Sequence, residues 1–209
     1  MTAEESPIPA PDGLADLPPG RIAAVVTFLE MRRPPDPSAA PAGPWELAPI
    51  GRDLRRYRAL FRRVGEPWLW FSRLVMPEPE LQGILDDPAV EAFALRAGGA
   101  GAGLDIGLLE LDFRRAGECE LAFLGLVPEA IGSGAGRFLI GHAVARAFAR
   151  PVRRLWVHTC TLDHPGALAF YLRAGFRPYR RAVEVADDPR LTGHLPRDAA
   201  PGVPVIGEG

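Results

Sequence analysis

Apolar positions follow two different periods along this chain, and the switches between them mark its elements. Arg21 to Glu30 (RIAAVVTFLE) carries a nearly continuous apolar run with β-branched residues at its centre, which predicts a strand. Leu54 to Val64 shifts to helical spacing, with Leu54, Tyr57, Leu60 and Phe61 on one face and arginines on the other. A short helix follows over Glu78 to Leu85, with Leu81 and Ile84 inward. Val90 to Arg96, Leu104 to Phe113 and Glu120 to Val127 read as strands of an antiparallel meander, the first two separated by a turn at Gly98 to Gly103. Gly136 to Arg150 is helical, with Leu139, Ala143 and Ala147 on one stripe. A strand over Arg154 to Thr159 precedes a helix over Pro165 to Ala174. Pro165 suits that helix's first turn and Gly175 its C-terminal cap. Phe176 to Val185 closes the pattern as a strand. Strands first, then strand–helix–strand–helix–strand, predict an α/β protein of the α+β type. Its central sheet is mixed and mostly antiparallel, flanked by helices, with a parallel strand–helix–strand crossover after the glycine loop described below.

The ends of the chain look different. Residues 1–20 hold Pro7, Pro9, Pro11, Pro18 and Pro19 with few apolar anchors, so a flexible lead-in is expected. Residues 21–186 form the predicted domain. Residues 187–209, rich in proline, glycine and charge, are expected to pack on it or trail from it. Pro34 to Pro44 reads as a proline- and alanine-rich loop.

Composition narrows the function classes. The chain has 209 residues, 47% of them apolar, which suits one domain with a real core. A formal net charge of −2 argues against a dedicated nucleic-acid binder. No segment reaches the ~18 apolar residues of a membrane span. The acidic, proline-rich start lacks the basic and apolar regions of a signal peptide, so a cytoplasmic location is expected. Cys119 and Cys160 are too few for a disulfide framework and read as reduced, buried thiols. Nothing near Cys160 in the sequence activates it as a nucleophile. There is no lysine, so the cationic side chains apart from histidine are arginine.

The sharpest chemical signal is Leu124-Gly-Leu-Val-Pro-Glu-Ala-Ile-Gly-Ser-Gly-Ala-Gly-Arg-Phe-Leu139. A strand ends near Pro128, glycines alternate at Gly132, Gly134 and Gly136, and a helix begins at once. Glycines let backbone approach a phosphate, and a helix N-terminus presents free N–H groups with roughly half a positive charge. Without lysine this is not a lysine-bearing P-loop. The third glycine comes one residue early for a dinucleotide fingerprint. No acidic ribose partner follows at the right distance: Arg153 and Arg154 stand there.

Two motifs together resemble the GNAT superfamily of acyl-CoA-dependent N-acyltransferases. Leu124-x-Leu126-x-Pro128 followed by Ile131-Gly-Ser-Gly-Ala-Gly136 is similar to its L-x-V-x-P-x-x-R-G-x-G-x-G. Farther on, His164-x-x-Ala167-x-x-x-Tyr171-x-x-x-Gly175-Phe176 is similar to its N-x-x-A-x-x-x-Y-x-x-x-G-F. Ile131 replaces the usual Arg or Gln of the loop, leaving Arg137 to supply a cation. His164 replaces the usual asparagine. The resemblance implies a GNAT-like fold and acetyl-CoA as cosubstrate, with no metal. Leu124, Gly125 and Leu126 would pair by backbone with the pantetheine arm. Ile131, Gly132, Ser133, Gly134, Ala135, Gly136 and Arg137 would hold the pyrophosphate, and His164 would add a contact.

Moving an acyl group from a thioester to an amine requires a neutral amine, an oxyanion donor and a proton for the thiolate. An aliphatic amine near pKa ~10 costs about 4 kcal/mol to deprotonate at pH 7. Counting by twos, Glu120 shares a sheet face with Ala122, Leu124 and Leu126. The resemblance makes it the candidate base, with Glu110 and Asp112 as reserves, and makes Tyr171 the candidate acid. The bland readings are a solvated strand-end carboxylate and a core tyrosine. His142 and His158 read as a helix-surface and a strand-core residue, and His194 has no clear reading. Trp68, Trp70 and Phe71 are either core or acceptor pocket.

The expected acceptor is a small-molecule or peptide amine. No nucleic-acid or membrane partner is expected, and a homodimer is left open. A non-catalytic acyl-CoA-binding module on the same fold is the alternative, and a transferase of longer acyl or aminoacyl groups a third reading.

Overall fold

The computed structural model describes residues 13–35, 42–98 and 103–207. Residues 1–12 of the expected 1–20 lead-in, much of the proline-rich loop (36–41) and the tip of the predicted turn (99–102) lie outside the described residues. The elements run β1 (Arg21–Met31), β2 (Trp45–Pro49), α1 (Leu54–Gly65), a 3-10 turn (Glu66–Trp68), α2 (Ser72–Val75), α3 (Glu78–Asp86), β3 (Val90–Ala97), β4 (Asp105–Asp112), β5 (Glu118–Leu126), α4 (Ala135–Phe148), β6 (Arg154–Cys160), α5 (Ala167–Arg173) and β7 (Arg177–Asp187). The seven strands form one sheet in the order β2-β3-β4-β5-β6-β1-β7. Every neighbouring pair is antiparallel except β5–β6, which α4 joins by a crossover. The mixed sheet expected from the sequence is therefore present. The short edge strand β2 is an addition: its five residues follow proline-rich chain and gain their order from the ladder with β3.

Each face of the sheet is covered differently. On one face α4 lays down Leu139, Ala143 and Ala147, all fully buried, with Tyr171 and Phe176 from the α5 region. These close over Leu29, Leu109, Leu111, Leu121, Leu155 and Val157. On the other face α1 buries Tyr57, Leu60, Phe61 and Val64 against Ala94 and Leu108. Asp53 caps α1, accepting from the Arg56 N–H at 2.9 Å.

The C-terminal segment also packs on this second face. Leu195, Ala199 and Ala200 close over Ile22 and Leu69, with Phe71, Leu74 and Leu162 at the border. A buried Arg190–Asp188 pair at 2.7 Å fixes its path. Arg190 also donates to the carbonyls of Ala199, Val203 and Pro204. An ion pair this deeply buried holds only because its remaining donors find acceptors.

Two irregularities set up the site. β5 and β6 pair only over Glu118–Glu120 against Arg154–Trp156, then part. Beyond Glu120, the β6-facing edge of β5 has no strand partner, although the other edge stays paired with β4. The second irregularity is a bulge at Ala122: Glu110 pairs with Phe123 and Leu111 with Leu121, so Ala122 has no opposite number.

Candidate active site

A cavity of about 610 Å³ fills the gap where β5 and β6 part. Its walls come from β5 (Leu121 to Leu126), the glycine loop, the first turns of α4, β6 (Val157 to Thr159), Asp163, His164, α5, and the indoles of Trp68 and Trp70. It therefore passes from one face of the sheet to the other.

The glycine loop forms one end. Gly132 and Gly134 have φ of 85° and 93°, values that favour glycine. Gly134 opens α4 without a side-chain cap. The N–H groups of Gly136 and Arg137 meet no acceptor among the described residues, as the first turn of a helix leaves them. The Ser133 hydroxyl braces the loop, donating to the Ala130 carbonyl at 2.7 Å and accepting from the Ala135 N–H at 3.3 Å. Of the loop residues, Ile131, Gly132, Gly134, Gly136 and Arg137 line the cavity, whereas Ala135 is fully buried beneath it. Ile131 is 41% exposed and adds only an apolar rim. The donors suit an anion, and the unpaired edge of Leu124, Gly125 and Leu126 suits an extended amide-bearing arm. The phosphates and pantetheine of an acyl-CoA fit both requirements. Arg173, unremarked in the sequence, also lines the cavity and gives it a second cation beside Arg137.

Tyr171 reaches the cavity from α5 and is otherwise packed between Phe170 and Phe176. Burial raises its pKa above the ordinary phenol value, which keeps the hydroxyl protonated as a donor. Burial likewise pushes the Cys160 thiol up to about 11, the opposite of activation. His164 accepts from the Gly166 N–H at 2.9 Å through Nδ1 and meets the edge of Trp68 at 5.1 Å, while still lining the cavity.

Glu120 does not lie where counting by twos put it. The Ala122 bulge breaks the alternation, so Leu121, Leu124 and Leu126 face α4 while Glu120, Phe123 and Gly125 face α1. Glu120 lines a separate pocket of about 270 Å³ with Asp112, Arg114, Arg115, Glu118 and Trp156, next to the apex where β5 and β6 separate. Burial, then the neighbouring Asp112 carboxylate, raises its pKa to about 7. Asp112 is paired with Arg114 at 2.5 Å, and Glu118 with Arg154 at 3.4 Å. The Glu120 carboxylate has no ion pair or hydrogen bond among the described residues. The other reserve carboxylate, Glu110, is fully buried and committed: it accepts from the Tyr57 hydroxyl and from Arg73 Nη2 at 2.6 Å.

Sequence reasoning missed the link between the cavity's two sides. Trp70 Nε1 donates to Asp163 Oδ1 at 2.9 Å, while Asp163 Oδ2 accepts from the Thr159 hydroxyl at 2.6 Å and the Cys160 N–H at 2.9 Å. The indole crosses from the α1 side to the loop before α5. It also packs on Gly125, where an added Cβ would come within 2.9 Å of the ring. An aromatic cluster was visible in the sequence; its hydrogen-bond partner 93 residues away was not.

Among the described residues, no group of His, Cys, Asp and Glu has the arrangement of a metal site, and no helix is long and apolar enough to cross a membrane.

Comparison with known proteins agrees with this architecture. The acetyltransferase (GNAT) family matches residues 60–176. No curated protein matches the sequence. Among solved structures, a putative GNAT-family acetyltransferase from Novosphingobium aromaticivorans aligns with a TM-score of 0.55 at 18% identity, over 83% of this chain and 69% of that one. A GCN5-related N-acetyltransferase from Sphaerobacter thermophilus aligns with 0.56 at 20% identity, over 81% and 52%. One from Kribbella flavida gives 0.52 at 18%, over 83% and 63%. The chain thus spans about half to two-thirds of the length of these proteins, and at such identities the likeness speaks for the fold. With more than half of its length matched, and with the site built as described, the chain belongs to the acetyltransferase (GNAT) family.

Proposed function

We propose that this protein moves an acetyl group from acetyl-CoA directly to a primary amine. The observation that carries this reading is the cavity through the sheet, with the free N–H groups of a helix N-terminus at one side and an unpaired carboxylate beside its apex at the other. The glycine loop with Arg137 and Arg173 holds the phosphates. The free edge of Leu124 to Leu126 holds the pantetheine arm and directs the thioester toward the apex. Glu120, with a pKa of about 7, takes the ammonium proton through water, since it borders the neighbouring pocket rather than the cavity itself. The freed nitrogen bonds to the acyl carbon and gives up its second proton to water as the carbon–sulfur bond breaks. Tyr171 gives its proton to the departing thiolate and is reprotonated from solvent.

Thiol release from acetyl-CoA across a panel of primary amines tests the reading, with calorimetry for binding. Binding together with amine-dependent release supports it. Binding without release would leave a non-catalytic acyl-CoA module instead.

A further inference from the structure

Glu120 lies on the sheet face that carries α1 and the C-terminal segment, so the acceptor must arrive on that face. Two features there bear on what it can be.

The first is the C-terminal segment itself. Leu195, Ala199 and Ala200 fill the space between Leu69 and the Ile22 end of β1. The segment is tied down at several points. Arg62 Nη1 donates to the His194 carbonyl at 2.9 Å, the Gly20 N–H to the Ile206 carbonyl at 2.7 Å, and the Asp188–Arg190 pair sits beneath. An extended polypeptide laid along β1 toward α2 would have to displace this packed, clamped segment.

The second is the stretch the segment leaves open. Phe28, Trp156 and His158 lie on the same face as Glu120, because Trp156 is the register partner of Glu120 and Phe28 that of His158. Phe28 sits 6.4 Å from Trp156 and 5.6 Å from His158, ring centre to ring centre. The three form an aromatic floor running from the Glu120 pocket to the cavity, since Trp156 lines the former and His158 the latter. Arg180 already lays its flat guanidinium on Phe28, 3.8 Å from the ring centre, which illustrates how a planar group sits on this floor. At the Glu120 end the unpaired carboxylate complements an ammonium.

Building on the acetyltransferase reading, we propose that the acceptor is a small amine with a planar aromatic body, its ring over Trp156 and His158 and its nitrogen at Glu120, and that the C-terminal segment keeps polypeptide acceptors out. Offset-stacked or edge-to-face aromatic contact adds to simple burial and selects flat bodies over flexible aliphatic ones.

The test is thiol release by the full chain with acetyl-CoA and three probes: tryptamine, spermidine, and a lysine-containing peptide with a free N-terminus. The expected result is a kcat/KM for tryptamine at least ~10-fold above either other probe. Trp156→Leu should raise the KM for tryptamine several-fold with the KM for acetyl-CoA unchanged, and Trp156→Phe should largely restore it; a merely structural role for Trp156 would move both constants. Equal or better turnover of the peptide or spermidine would overturn the proposal. So would acetyl-CoA binding with no release from tryptamine. Failure to bind acetyl-CoA would instead remove the acetyltransferase reading, and this proposal with it.

Discussion

The two sides of the β5–β6 gap are built from different materials. The α4 side is built mainly from backbone and small or apolar residues, with Arg137 and Arg173 as its cations: Gly132, Gly134 and Gly136, the helix start, and the free edge of Leu124 to Leu126. The α1 side consists of charge and aromatic rings: Glu120, Asp112, Trp156, His158, and Trp70 tied to Asp163. The first side offers donors whose positions are fixed by main-chain geometry, suited to one ligand class. The second offers side chains whose properties depend on neighbours, suited to tuning a proton transfer and choosing an acceptor. Substitutions in the backbone cradle of the α4 side should therefore act on acetyl-CoA affinity, and those on the α1 side, together with the proton donor Tyr171, on rate or acceptor choice.

That division can be broken at particular residues. Gly134→Val places a β-branched residue at φ 93°, a strain of roughly 1–3 kcal/mol that the loop relieves only by shifting its N–H groups. Acetyl-CoA binding measured by calorimetry should weaken by about 30-fold or more. Undiminished affinity would mean that the loop is not the phosphate site. Tyr171→Phe should lower kcat by roughly 10- to 100-fold with little change in acetyl-CoA affinity, because it removes a proton donor and almost no packing.

Asp163→Ala removes the shared acceptor of Trp70, Thr159 and Cys160 and should cost about 2 kcal/mol in denaturant unfolding. Glu120→Gln should move stability the other way. A carboxylate raised from 4.5 to about 7 favours the folded state below pH 4.5, and that advantage is lost as pH rises through 7. Above pH 8 the ionised, half-buried group is a cost, so the neutral glutamine should stabilise the fold by roughly 1–3 kcal/mol. A stabilised but slow variant is what a strained functional carboxylate leaves behind.

How far the sequence reached follows the same division. The α4 side is local: the glycine spacing and the Leu139, Ala143, Ala147 stripe are set within a few turns of chain, so pattern finds them, and Tyr171 sits in a short motif that the family resemblance marks. The α1 side depends on long-range packing. The Ala122 bulge, which reversed the face assigned to Glu120, comes from the ladder with β4 and leaves no mark in the alternation of β5. The Trp70–Asp163 bond and the closure of 188–206 over Leu69 join distant segments. Strand β2 is five residues beside proline-rich chain, too short for its period to show. Arg173 escaped notice because arginines are common here and only the fold of α5 selects this one.

The most direct test is kcat/KM for amine acetylation against pH, in the wild type and in Glu120→Gln, with acetyl-CoA affinity measured alongside. The wild-type value should rise about tenfold per pH unit below 7 and bend near pH 7. Glu120→Gln should lose that bend and roughly 10²–10⁴ in rate at unchanged acetyl-CoA affinity. A variant that keeps the wild-type rate and profile would show that the proton leaves by another route and that Glu120 is a bystander.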